Sequence, residues 1–232
     1  MTEDAWLLCT DPEAMLDSLE GRSGSRKLRL FACACCRRIW PLLTDERSRK
    51  AVETAERYAD GAASEEEREA AEQDARDAAD ELSHRSIDEG TGPDSPASSA
   101  AAAAMNTLDR HFTAFDPEGS APFFAAANAV LALPSPSPSR SSAERAAQSR
   151  LLRDIFGPLP FRPVALNPAW LTPGVIELAS MIYEERAFER LPELAEVLER
   201  AGCTDREMVE HCRRSGEHTL GCWVVDLLLT RP

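Results

Sequence analysis

Four times along 232 residues a Ser or Thr is followed three positions later by Glu, ahead of apolar residues at helical spacing: Thr10 with Glu13, Ser64 with Glu67, Ser141 with Glu144, and Thr204 with Glu207. In such a capping box the hydroxyl accepts from the N3 amide and the carboxylate accepts from the N-cap amide, pairing two donors that a helix start leaves open. The pattern predicts helices over 11–20, 65–84, 142–156 and 205–214. Ser25 ahead of Leu28, Thr44-Asp45-Glu46 ahead of Val52, and Thr172-Pro173 ahead of Ile176 mark three further starts, Pro suiting a first turn. Gly21, Gly61 and Gly202 stand where left-handed C-terminal caps are expected. Ala, Leu, Glu and Arg dominate, only two Tyr occur, and alternating β-branched runs are few, so propensity and period agree on helix. An all-α fold is expected.

Its organisation follows from texture. Gly90-Thr-Gly-Pro-Asp-Ser-Pro-Ala-Ser-Ser99 and Pro134-Ser-Pro-Ser-Pro-Ser139 flank an Ala-rich helix candidate at 100–115. Pro/Ser tracts bury too little apolar surface to offset chain entropy, and read as linkers. The expectation is bilobal: an N-terminal helical lobe over 1–89, an Ala/Ser/Pro-rich middle segment over 90–142, and a C-terminal helical lobe over 143–232. The Ala-rich helix and the apolar stretch 123–133 are expected to pack on a lobe. The stretch 157–170 differs, because its four prolines alternate with Phe161, Val164, Leu166 and Trp170; it predicts an ordered, Pro-stiffened loop laid over helices.

The formal charge of −14 is unevenly spread, near +1 over 1–50, −11 over 51–99 and −4 over the remainder. So acidic a second segment repels a phosphate backbone, and nucleic acid is not an expected partner. The longest apolar stretch has eleven residues broken by Asn128, well short of the ~20 that span a bilayer. Seven cysteines, an odd number, follow an opening without a secretory pattern. Free thiols in a reducing, cytoplasmic compartment are the expectation.

Three of those cysteines lie within the run Arg26 to Trp40. On a helical wheel Leu28, Phe31, Ala32, Cys35 and Ile39 form one stripe, with Cys33, Cys36 and Trp40 on its flank, which makes this helix central to its lobe. Cys33 and Cys36 spell a CxxC spacing, yet a redox pair needs its thiolate at a helix N-terminus and Cys33 lies two turns inside. Packing is the reading preferred, and the flanking arginines are expected to pair with the acidic helices at 53–81.

The last thirty residues hold Cys203, His211, Cys212, His218 and Cys222. They are numerous enough for a tetrahedral zinc site, but intervals of nine and ten between cysteines argue against one. His211 and Cys212 point about 100° apart on a helix, so at most one of them faces a common ion. No metal or cofactor is assigned from this spacing, and these five stand as weak metal candidates. The run Leu220 to Leu229 reads as a buried closing helix. No GxSxG, Walker, GxGxxG or HExxH motif occurs, and no catalytic residue is expected.

The chain resembles a family of uncharacterised bacterial proteins that occur as many paralogues in large genomes. The resemblance rests on Trp6-Leu-Leu-Cys9 with Asp11-Pro12 and Met15-Leu16, and on Arg26 to Trp40. C-terminally it rests on Phe161-Arg-Pro-Val164, Pro168 to Pro173, Tyr183, Ala201-Gly-Cys203, His211 and Gly221 to Leu229. It covers roughly 1–85 and 148–232 and implies no activity. The function expected is a non-enzymatic protein–protein interaction or regulatory module, with Arg37, Arg38, Trp40, Phe161, Arg162 and Trp170 as partner-binding candidates. The alternative is a zinc- or thiol-dependent sensor built on the Cys/His residues.

Overall fold

The structure, a computed structural model, describes residues 1–19, 24–90, 92, 95–110, 121–133 and 137–231. Among these the secondary structure is helical throughout, twelve α-helices and three short 3₁₀ turns with no strand, which is the all-α fold expected. Gly21, Arg22, the 111–115 end of the Ala-rich segment and 134–136 lie outside the described residues. No described helix is long and apolar enough to cross a membrane.

Backbone contacts divide the chain into two compact units, Met1–Leu152 and Arg153–Pro232. The first unit contains α1 (Glu3–Leu8), α2 (Pro12–Ser18), α3 (Ser25–Arg38), α4 (Glu46–Ala59), α5 (Glu65–Asp88), α6 (Pro96–Asn106), α7 (Ala121–Leu131) and most of α8 (Pro138–Phe156). The boundary between these units falls inside α8, and α6 and α7 of the Ala/Ser/Pro-rich stretch belong to the first unit. The reason is packing: Ala100, Ala101, Ala103 and Ala104 of α6 and Ala121, Ala125, Ala126 and Ala129 of α7 are buried, and the two helices pack on each other and on α3. Alanine faces let backbones approach closely, so dispersion rather than side-chain bulk fills the core there. α8 is held to this unit by Arg145, which bonds Glu13 at 2.6 Å and Asp11 at 2.7 Å, and by Gln148, whose amide donates to the Ala126 carbonyl.

The cysteine-bearing α3 is the centre of this unit, packed against α4, α6 and α7, with every residue from Leu28 to Cys36 buried. Burial extends to Arg29, which donates to the carbonyls of Thr107 (2.6 Å) and Asp109 (2.9 Å). Arg68 of α5, equally buried, donates to the Leu108 carbonyl at 2.5 Å and to Glu72 and Glu65. Two guanidiniums therefore cap the carbonyl end of α6, where orphan acceptors and the helix dipole both favour positive charge.

The second unit holds the last turn of α8, a loop with a 3₁₀ turn at Pro168–Trp170, then α9 (Pro173–Glu185), α10 (Leu191–Arg200), α11 (Arg206–Arg213) and α12 (Trp223–Leu228). α9 packs on α10 and α12, and α11 on α10 and α12. Of the four expected capping boxes only Ser64/Glu67 forms as such. Asp11 and Asp205, each one residue on, displace Thr10 and Thr204 as N-caps, Asp11 accepting from Glu13 N–H and Asp205 from Met208 N–H. Ser141 lies inside α8, which starts at Pro138.

Candidate metal centre

Asp154 sits in the last turn of α8, His211 on α11, His218 in the loop that follows, and Cys222 at the N-cap of α12. One donor atom from each lies within 4.8 Å of all the others, the sole such group of three or more metal-ligating side chains among the described residues. His218 Nδ1 is 2.5 Å from Asp154 Oδ1, and His211 Nε2 is 3.2 Å from both Asp154 Oδ1 and Cys222 Sγ. A tetrahedral ion with bonds of about 2.0–2.3 Å sets its donors about 3.3–3.8 Å apart, so these four need to move little to surround one. Asp154 and Cys222 are buried and both imidazoles are less than a tenth exposed.

The surroundings hold the donors in place. Thr219 N–H donates to Asp154 Oδ2 at 3.0 Å, leaving Oδ1 for the centre. His218 Nε2 is 3.3 Å from the Arg214 carbonyl; donating there aims Nδ1 inward, the usual outer-shell partner of a metal-bound histidine. The backbone amides of Val225 and Val224 bond Cys222 Sγ and favour its thiolate. The His211 ring meets His218 edge-on at 5.0 Å and Trp223 at 5.3 Å.

Burial and neighbouring charge act against each other at Asp154 and His218, and together at Cys222. Burial pushes the Asp154 carboxyl up, but hydrogen bonds and charge from His211 and His218 outweigh it and hold it below its ordinary value. Burial likewise works to lower His218, and the Asp154 hydrogen bond and charge raise it above the ordinary imidazole. Cys222 is driven well above a normal thiol, by burial first and then by the charges of Asp154 and Cys212. A divalent cation reverses this last effect, since coordination deprotonates a thiol outright.

The remaining candidates are elsewhere. Cys203 lines an open cleft of about 540 Å³ with Glu199, Asp205, Arg206 and Glu210. Cys212 is buried beside His211, its thiol pushed up to about 12 by burial. In α3, Cys33 and Cys36 are buried and burial raises both thiols, the opposite of what a redox nucleophile needs. The arginine candidates are all ion-paired within the chain. Arg37 bonds Glu56 with two nitrogens and stacks on Trp40 at 4.1 Å, Arg38 grips Glu144, and Arg162 pairs with Glu207. Trp170 is buried, whereas Phe161 is half-buried. Asp154 was invisible to spacing arguments, lying 57 positions before His211; its only local signal is an acid next to Arg153 between Leu151-Leu152 and Ile155-Phe156. The four-residue interval from His218 to Cys222 is within the usual ligand range, and intervals counted between cysteines alone overlook it. Compared with known protein families, curated proteins and solved structures, the chain matches none.

Proposed function

We propose that the chain is a non-enzymatic regulatory module whose second unit closes around one borderline divalent ion, zinc foremost, through Asp154, His211, His218 and Cys222. The convergence of those four donor atoms within 4.8 Å carries this reading. A carboxylate, two imidazoles and a thiolate suit zinc rather than magnesium or calcium, which favour oxygen. Four protein donors fill a tetrahedral shell, whereas catalytic zinc keeps one position for water or substrate. The cleft of about 370 Å³ nearby is lined by His218 and by none of the other three donors, so it gives a substrate no direct approach to Asp154, His211 or Cys222. A unit of this size gains much from a staple, because a small core leaves little net stability, and binding an ion to a folded site adds its free energy to folding. A reducing, cytoplasmic setting suits a sulfur ligand that must stay reduced, and all seven cysteines are free.

The test is a zinc titration of chelator-stripped full-length chain in competition with a chromophoric chelator. One zinc per chain is expected, lost in Cys222→Ser and in His211→Ala. Absence of saturable binding by the folded wild-type chain contradicts the reading.

A further inference from the structure

We propose that Gly157 and Trp223 are the positioning pair of this centre, an inference that rests on the metal reading above. Gly157 closes α8, its N–H donating to the Arg153 carbonyl at 2.9 Å, and its φ of +51° is a left-handed value that Gly adopts without strain. Its backbone comes too close to the indole for any side chain: a Cβ there would stand 2.6 Å from Trp223 Cδ1 and Cγ and 2.8 Å from Cδ2. Trp223 is buried, and the same ring meets the His211 imidazole edge-on at 5.3 Å. One aromatic plane therefore touches the chain three residues past Asp154, touches His211, and is covalently next to Cys222. Three of the four donors are referred to a single rigid body. The fourth, His218, is joined to Asp154 directly and through the Thr219 amide. Gly157 sets how closely the Asp154 turn approaches, and Trp223 fixes the plane it approaches.

The experiment measures zinc affinity of the full-length chain by chelator competition, with folding followed by circular dichroism. Gly157→Ala is expected to weaken zinc binding by about 10- to 100-fold, the cost of disturbing outer-shell groups elsewhere. Gly202→Ala is the control: it carries the same left-handed strain at φ +82° but its Cβ meets nothing within 4 Å, so it loses stability and keeps wild-type affinity. Trp223→Phe retains a ring and should stay within a few-fold of wild type, while Trp223→Leu should fall as Gly157→Ala does. A folded Gly157→Ala chain with wild-type affinity overturns the proposal. If that variant does not fold, wild-type affinity in Trp223→Leu overturns it instead. A wild-type chain that binds no zinc is a different result, and removes the metal reading itself.

Discussion

Arg68 is a cation almost wholly out of water, held by the Leu108 carbonyl, Glu72 and Glu65. Removing it strands a buried carbonyl and takes one partner from each of two carboxylates, so Arg68→Ala should lose about 3 kcal/mol in urea unfolding. Arg68→Met, which keeps the volume, should lose less. Glu65 is the acidic counterpart. The hydrogen bonds from Arg68 and then Tyr58 hold its carboxyl at about 2, below the ~4.3 of an unfolded chain. A depressed value means stability fully present above about 4.3 and lost as pH falls toward 2. Urea midpoints across that window should drop less steeply in Glu65→Gln than in wild type. The thiols make a further residue-level prediction. Cys33, Cys35 and Cys36 are buried within α3 while Cys9 is partly exposed, so a thiol reagent should label Cys9 in the native chain and the α3 cysteines only on unfolding. Rapid native labelling of Cys33 or Cys36 would contradict packing as their role.

At the scale of elements, α6 and α7 meet through alanines, and the fit has no slack. Ala104→Leu or Ala125→Leu should each destabilise by about 1–3 kcal/mol through overpacking, read as a shift in denaturant midpoint at constant slope. Where helices exist was legible because periodicity survives tertiary context: α3, α4, α5, α9 and α12 begin within a residue of their signals. Which residue caps them was less legible. Thr10 and Thr204 are each followed by Asp, and either side chain can serve the first amides, so the choice depends on backbone geometry. The Ala-rich helix was expected to pack on a lobe, and α6 buries its alanines within the first unit; which surface covers it was not legible, because that alanine face belongs to α7.

At the scale of the whole molecule, the centre gathers residues from one end of α8, from α11 and from the start of α12. Spacing rules describe ligands that share a turn or a hairpin, so they expose His218 and Cys222 and miss Asp154, which only the fold brings near. Chelation should loosen the elements the ion joins: amide exchange should accelerate over 205–228 and stay unchanged in α3 to α5, which belong to the first unit.

A thiolate, two imidazoles and a carboxylate around one tetrahedral ion leave a distinct signature when cobalt(II) takes the place of zinc. Chelator-stripped chain titrated with cobalt(II) should give intense visible d–d bands that saturate at one equivalent, with a near-ultraviolet thiolate-to-cobalt charge-transfer band. Cys222→Ser should abolish the charge-transfer band, and Asp154→Asn should weaken binding. Weak octahedral-type spectra, or a charge-transfer band that survives Cys222→Ser, would contradict the account.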